Sequence, residues 1–212
     1  MDIKILYIGN MLVLFATSTI LYIKYRKQPQ NSALKFLTIF MGFHFFGFVL
    51  FILRNQIPDF LSIVIANTLF AAGVISLYIT VRAFTKIEPA WHNRYFIPLI
   101  TYFIGFVIFT YVNYDTKTRI LIYYLFCTIF MIPSAWFLWK NNVAKYKVFD
   151  KATAILFFII SLILIWIIVQ VSFIQLQTYY FSNSNIFMML SFFIMNILNF
   201  WSLLALRYRI KN

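Results

Sequence analysis

Residues 53–84 read "LRNQIPDFLSIVIANTLFAAGVISLYITVRAF", and this stretch decides the fold. It starts with a polar turn that carries Arg54, Pro58 and Asp59, and a long, mostly apolar run follows. A helix needs about 20 apolar residues to cross a hydrocarbon core about 30 Å thick. Pro58 suits the first turn of a helix, because its missing N–H would have no partner there in any case. The stretch therefore predicts a membrane-spanning helix over 60–82, entered from a tight turn at the membrane edge.

Apolar runs of similar length recur along the whole chain. Of the 212 residues, 63% are hydrophobic and only 11% are charged, which leaves too little polar surface for a soluble domain. Barrel strands alternate apolar and polar residues, and these runs do not alternate. The sequence predicts an all-α polytopic membrane protein with one domain over 1–212 and seven transmembrane helices, at about 4–23, 34–53, 60–82, 95–112, 119–139, 152–174 and 185–206.

The positions of the cations predict the orientation of these spans, because cytoplasmic loops are enriched in Lys and Arg. Four of the 18 Lys and Arg lie on one side of the predicted bundle: Lys4, Arg54, Lys117 and Arg119. The remaining fourteen lie on the other side: Lys24, Arg26, Lys27, Lys35, Arg82, Lys86, Arg94, Lys140, Lys145, Lys147, Lys151, Arg207, Arg209 and Lys211. We predict that the N-terminus is outside and the C-terminus is cytoplasmic, which agrees with an odd number of spans.

The net charge of +13 raises the question of nucleic acid as a partner. The cations are divided among separate clusters beside the spans, and they form no continuous basic face that could follow a phosphate backbone. Contact with the anionic headgroups of a lipid bilayer accounts for them. We therefore expect the lipid bilayer as a partner and no nucleic acid.

Catalytic and metal-binding groups are scarce. Two histidines, His44 and His92, are too far apart for a helical metal pair, and Cys127 is the single cysteine. The acids lie at turns or helix ends, where helix capping and interfacial positions explain them: Asp2, Asp59, Glu88, Asp115 and Asp150. We expect no catalytic residues, no metal site, no cofactor and no enzymatic activity.

Polar side chains inside the predicted spans form the candidate site: Asn10, His44, Asn67, Gln170, Asn196 and Asn199. Burying an unpaired amide in hydrocarbon costs about 2–7 kcal/mol, so these groups should face the bundle and find partners. One interpretation is a network of interhelical hydrogen bonds, and the other is a small cavity near the outer leaflet that binds an amphiphilic or small polar ligand. We predict that Asn67 faces the interior and shares a network or cavity with Asn10, Gln170 or His44.

His44 has two interpretations of its own. It is either a neutral, hydrogen-bonded core histidine or a switch that responds to pH or ligand. Gly42 and Gly47 flank it in the sequence and predict a close helix approach. Small residues in the third span, Ala71, Ala72, Gly73 and Ser76, predict a second close-packing face.

The stretch 53–84 resembles the second-to-third-span region of the membrane sensor modules that precede the catalytic domain in many bacterial GGDEF-type diguanylate cyclases. The matching features are Arg54, Pro58, Leu61, Ser62, Ile63, Asn67, Gly73, Arg82 and Phe84. The resemblance is specific over the 32 residues of 53–84. Over the rest of the chain only the order and orientation of the spans are similar. It implies a sensory role in a bacterial cytoplasmic (inner) membrane, with Arg54, Pro58 and Asn67 as a structural signature. This sequence contains no GGDEF motif, so the resemblance implies no cyclase activity.

The favoured function is a receptor-like module that detects a small or lipophilic ligand, or a membrane state, and signals to a separate cytoplasmic protein. Either the module is free-standing or the chain is a fragment of a longer signalling protein. One alternative is a small-solute transporter or channel. A second is a structural or effector membrane protein that acts as a homo-oligomer.

Overall fold

A computed structural model describes residues 3–86, 95–141, 146–173, 194, 196–198 and 200–205, with side chains from residue 8 onward. Almost all of these residues are helical. The helices are α1 (Ile3–Lys27), α2 (Ser32–Ile52), α3 (Ala66–Phe84), α4 (Phe96–Val107), α5 (Thr116–Lys140) and α6 (Lys147–Phe173). A π-helical turn, Phe60–Ile65, leads directly into α3, and a second one, Ile108–Val112, continues α4. The described residues 194, 196–198 and 200–205 are also helical.

Helix ends follow local sequence signals. The Asn31 side chain accepts a hydrogen bond from the Leu34 N–H and caps α2, and the Asp115 carboxylate caps α5 by accepting from the Thr118 N–H. Asn55, with φ of 71°, takes the left-handed conformation in the turn after α2. The carbonyl of Pro58 accepts the first backbone bonds of the next helix.

Most helices pack against their neighbours in the chain, and α3 also packs against α5. α2 packs against α1 and α3, α5 packs against α3 and α6, and α4 lies beside α3 and α5. The last described segment lies against α6 and α3 through Trp201. The indole of Trp201 donates a 3.0 Å hydrogen bond to the Thr153 hydroxyl, and its ring lies 5.3 Å from that of Phe157 and 6.3 Å from that of Phe84.

The outer surface of the bundle is apolar along its length. On α6, Phe158, Ile159 and Leu162 are exposed, whereas Ser161 on the same helix is buried. An apolar exterior around buried hydroxyls is the arrangement that a bilayer requires. Five of the described helical segments are long and apolar enough to cross a membrane, and the segment Phe96–Val112 is apolar but shorter. This is the architecture of an all-α, multi-pass membrane protein.

The predicted spans can be compared with these bounds. The first six correspond to helices α1–α6, with ends that differ by a few residues. Only part of the seventh, 185–206, falls within the described residues. Seven spans and the outward N-terminus therefore stay predictions.

One detail of the sequence interpretation was wrong. Among the described residues, no atom of another helix lies within 4 Å of a Cβ built at Gly42, so Gly42 is no point of close approach there. Arg119, predicted at the start of the fifth span, lies in the first turn of α5, and its side chain is only 4% exposed. Asp150 lies in the first turn of α6, in agreement with an acid at a helix end, and its side chain is fully buried.

Candidate polar site in the helix bundle

Most hydroxyl groups inside the described bundle are satisfied within their own helix. Ser76 donates to the Ala72 carbonyl at 2.9 Å, Ser134 to Phe130 at 2.7 Å and Ser161 to Phe157 at 2.8 Å. This i to i−4 bond pairs a polar side chain in hydrocarbon without a second helix. A polar group that lacks such a bond is therefore the exception.

His44 follows the same rule. Its side chain is buried, and Nδ1 lies 2.9 Å from the Phe40 carbonyl oxygen one turn earlier in α2. Because a carbonyl oxygen can only accept, Nδ1 carries the hydrogen in this bond. The imidazole lies among aromatic rings, 4.6 Å from Phe40 and 5.5 Å from Phe70 between ring centroids. A second proton would place a cation among these rings, so the geometry favours the neutral core histidine over the switch.

Two glycines let α2 and α3 approach closely. The His44 ring of α2 lies against Gly73 of α3, where a Cβ would overlap the imidazole Cε1 and Nδ1 atoms. In the reverse direction, the Phe70 ring of α3 lies against Gly47 of α2, where a Cβ would be 2.6 Å from Phe70 Cε1. The predicted close approach is thus confirmed at Gly47 and at Gly73, where a ring of each helix lies against the glycine of the other.

Asn67 lies just after the π-helical turn at the start of α3. Its side chain is partly buried, and its Nδ2 donates a 2.6 Å hydrogen bond to the Ile63 carbonyl inside that turn. Thr68 bonds the neighbouring Val64 carbonyl at 2.8 Å in the same way. A π-helical turn shifts the backbone ladder by one residue, and such turns often occur at functional sites. The two side chains stabilise that irregular backbone, and the predicted link from Asn67 to Asn10, Gln170 or His44 remains a prediction.

Asn10 is the exception among the buried amides of the described bundle. It is 1% exposed on the face of α1 that also buries Leu14, Thr17 and Leu21. Within the described part of the bundle, neither its Oδ1 nor its Nδ2 has a hydrogen-bond partner. α1 packs against α2, and on another face of α1 the exposed ring of Phe15 contacts Phe45 of α2 with ring centroids 5.4 Å apart.

The remaining candidates occupy different places. Gln170 is partly buried near the end of α6, and Asn196 is partly buried in the last described segment, where it has an interaction partner. Asn199 lies outside the described residues. In the turn after α2, Arg54, Pro58 and Asp59 are all exposed, and the Asp59 carboxylate makes no capping bond to the helix that follows.

A polar cluster that the sequence analysis missed surrounds Arg119 at the α4–α5 turn. The guanidinium donates from Nη2 to the Thr116 hydroxyl at 2.7 Å and from Nη1 to the Thr110 hydroxyl at 3.4 Å. The Tyr114 ring lies 4.8 Å from the guanidinium carbon. The sequence "NYDTKTR", residues 113–119, could have indicated this cluster. Asp115 is a typical helix-capping residue, and a helix that begins after it carries Thr116 and Arg119 in its first turn.

The same turn shows two pKa shifts. Hydrogen bonding to Arg119 and Thr116, followed by the charges of Arg119 and Arg54, lowers the pKa of Tyr114. Hydrogen bonds from Thr118 lower the pKa of Asp115, because they favour its ionised form. The α2–α3 turn and the α4–α5 turn lie at the same end of the bundle, because Arg82 at the end of α3 bonds Tyr95 at the start of α4 and these two neighbouring helices run in opposite directions.

The opposite end of the α5–α6 pair holds a buried acid. The Asp150 carboxylate accepts a 2.7 Å hydrogen bond from the Asn141 side chain. Nearby, Lys151 Nζ lies 4.4 Å above the Trp139 ring and donates to the Trp139 carbonyl oxygen. Cations at this end thus lie against tryptophan rings of the kind that anchor helices at a membrane interface.

Comparison with known proteins gives no relative. No protein-family model matches the chain, and no curated protein or solved structure is significantly similar to it.

Proposed function

We propose that this protein is a receptor-like sensory module of a bacterial cytoplasmic membrane. It has seven spans with the N-terminus outside, and it signals to a separate cytoplasmic protein through its basic face. The ligand is a small or lipophilic molecule with a polar group that can both donate and accept a hydrogen bond. The similarity of 53–84 to the cyclase sensor modules supports this assignment.

The observation that carries the proposal is the unpartnered amide of Asn10. Both of its polar atoms are buried without a partner among the residues that the structure describes, whereas His44 and Asn67 each bond a carbonyl of the preceding helical turn. An unpaired buried polar group costs about 1–3 kcal/mol, and in natural proteins such a group calls for a functional explanation. A bound ligand with a hydroxyl, amide or carboxylic acid group would pair both atoms of Asn10.

In this proposal, α3 transmits the signal across the membrane. The π-helical turn Phe60–Ile65 lies at the outer end of α3, and conversion of that turn to α-helix would shift the helix by one residue relative to α2. The close fit of His44 on Gly73 couples such a shift to α2. The inner end of α3 carries Arg82, which donates to the Tyr95 hydroxyl at the start of α4.

Thermal unfolding of purified protein tests ligand binding. A total lipid extract and a polar-metabolite extract of the expression host are added separately to the wild-type protein and to Asn10→Leu. We expect one extract to raise the unfolding temperature of the wild-type protein and to leave Asn10→Leu unchanged, because a ligand that binds only the folded state stabilises it by mass action. If each extract changed the unfolding temperature of the two proteins equally, a ligand site at Asn10 would be ruled out.

Sensing is separated from transport by two further measurements on the extract that stabilises the protein. Spin labels at Gln30→Cys and Lys86→Cys, with Cys127 replaced by serine, report the distance between the inner ends of α2 and α3. A sensor shows a new distance on ligand addition and no solute flux in proteoliposomes. Saturable flux of the ligand into proteoliposomes would favour the transporter instead.

A further inference from the structure

Arg119 is a buried cation without an acid beside it. Its side chain is 4% exposed, two of its nitrogens donate to threonine hydroxyls, and its Nε has no partner among the described residues. Removing a guanidinium from water is costly unless a negative charge compensates it. Neutral hydroxyl groups provide hydrogen-bond acceptors but no such charge.

The chain offers few acids that could supply this charge. Of its five acids, two are described at this end of the bundle, Asp59 and Asp115. The Asp115 carboxylate is engaged by the Thr118 N–H at 3.2 Å and the Thr118 hydroxyl at 2.5 Å. Asp59 is exposed, and neither acid forms an ion pair with Arg119 in the described part of the chain. No described acid at this end therefore supplies the compensating charge, which leaves room for one from a bound anion.

The route to the guanidinium runs past one exposed side chain. The Tyr114 ring covers the guanidinium at 4.8 Å and is itself 67% exposed in the short turn between α4 and α5. This exposed side chain is therefore the one that we expect to move when a ligand reaches the guanidinium. Arg54 of the neighbouring turn adds a second positive charge close to Tyr114.

We propose that Arg119, Thr110 and Thr116 form a binding site for a phosphate group, with Tyr114 as the side chain that covers it. A guanidinium provides the planar, forked donor set that matches phosphate oxygens, and hydroxyl groups complete the hydrogen bonding. The phosphate belongs to a lipid headgroup or to a free phosphate ion. The site lies on α4 and α5, and the amide of Asn10 lies on α1, so this proposal does not depend on the ligand proposed for Asn10.

Thermal unfolding of the full chain in dodecyl maltoside tests the site with four additives. They are phosphatidylglycerol, phosphatidylcholine, inorganic phosphate, and chloride at matched ionic strength. The variants are Arg119→Gln, Arg119→Lys and the control Lys117→Gln, which removes a neighbouring cation that bonds the Ser172 carbonyl. Apparent affinity is taken from the saturation of the rise in unfolding temperature.

We expect phosphatidylglycerol, whose phosphate carries a net negative charge, to stabilise the wild-type protein and Lys117→Gln saturably. Phosphatidylcholine, whose phosphate is balanced by its own choline cation, and chloride should not do so. Loss of hydrogen bonds to a charged group predicts an apparent affinity about tenfold or more weaker in Arg119→Gln. Stabilisation by phosphatidylglycerol alone identifies a lipid headgroup, and equal stabilisation by inorganic phosphate identifies the free ion.

Two results would overturn the site. One is a wild-type protein that responds to neither anion more than to chloride, and the other is an Arg119→Gln protein that responds like the wild type. If Arg119→Gln does not fold, the affinity of Arg119→Lys is measured instead. This variant keeps the positive charge but lacks the planar, forked donor set of the guanidinium. An unchanged affinity of Arg119→Lys would then overturn the assignment.

Discussion

The imidazole ring of His44 occupies the space that a side chain at Gly73 would need. A Cβ at Gly73 would overlap two ring atoms of His44, whose Nδ1 is held by the Phe40 carbonyl at 2.9 Å. The ring cannot move away from Gly73 without breaking this hydrogen bond. Contact between α2 and α3 at the middle of the bundle therefore depends on a glycine that lies opposite a fixed ring.

Replacement of Gly73 by alanine should destabilise the protein. Overpacking of this kind costs about 1–3 kcal/mol, because either the His44 bond or the helix contact must give way. The matched control is Gly42→Ala, where a Cβ meets no atom of another helix in the described part of the chain. It should leave the free energy of unfolding unchanged or raise it by up to about 1 kcal/mol, since alanine favours the helix. Both values come from chemical or thermal unfolding in mild detergent.

A double-mutant cycle locates the cause of the Gly73→Ala effect. In a His44→Ala background the ring is absent, so the added methyl group at residue 73 should cost little. An equal cost of Gly73→Ala with and without the His44 ring would show that the overlap is not the cause.

Asn10→Leu and Asn67→Leu should change the free energy of unfolding in opposite directions. Asn10→Leu removes two unpaired polar atoms, so without ligand it should raise the free energy of unfolding by about 1–3 kcal/mol. Asn67→Leu removes the 2.6 Å bond to the Ile63 carbonyl in the π-helical turn and should lower it by about 1 kcal/mol. Unfolding of the ligand-free proteins measures both changes. A destabilised Asn10→Leu would mean that the amide of Asn10 has a partner in the folded protein.

The Asp115 cap should make stability depend on pH in the acid range. The pKa of Asp115 is lowered in the folded protein from its usual value of 3.8. A lowered folded-state pKa gives stability that is fully present above the unfolded-state value and is lost as the pH falls through the folded-state value. The loss should therefore occur below about pH 4.

Two variants isolate this contribution. Asp115→Asn keeps a capping oxygen and cannot titrate, so its stability should vary less with pH below about 4 than that of the wild-type protein. Asp115→Ala should cost about 1 kcal/mol near neutral pH, where the wild-type cap is ionised. Identical acid profiles for the wild-type protein and Asp115→Asn would contradict the assigned pKa shift.

The orientation predicted from the cations is tested by thiol labelling. Single cysteines replace Asn55, Asn113 or Asn141 after Cys127 is replaced, and an impermeant thiol reagent is added to intact cells. Asn55 and Asn113 lie in the two turns at one end of the bundle, and Asn141 follows α5 at the other end. We expect labelling at residues 55 and 113 but not at 141. Labelling at 141 alone would invert the orientation.

Much of the fold could be predicted from the sequence, because a bilayer imposes a simple length rule on apolar runs. The turn at Pro58 and the start of the following helix were found because proline and its polar neighbours interrupt two such runs. The ends of α2 and α5 shifted by a few residues from the predicted spans. Hydropathy places the apolar core of a helix, whereas Asn31 and Asp115 place its first turn through local hydrogen bonds.

The details of the site could be predicted less well, because they depend on which helix faces are opposed. Gly42 and Gly47 look alike in the sequence, but only Gly47 lies opposite a ring of α3. Charge alone places Arg119 at one end of the bundle and does not indicate that its side chain is buried. In the folded protein its guanidinium donates to the hydroxyl groups of Thr110 and Thr116.

The ligand proposed for Asn10 is tested most directly by native mass spectrometry of protein extracted gently from its own membrane. The wild-type protein should carry an additional bound mass, and Asn10→Leu should lose it while Arg119→Gln keeps it. An identical set of bound masses on the wild-type protein and on Asn10→Leu, or a wild-type protein with no bound mass at all, would contradict a receptor site at Asn10.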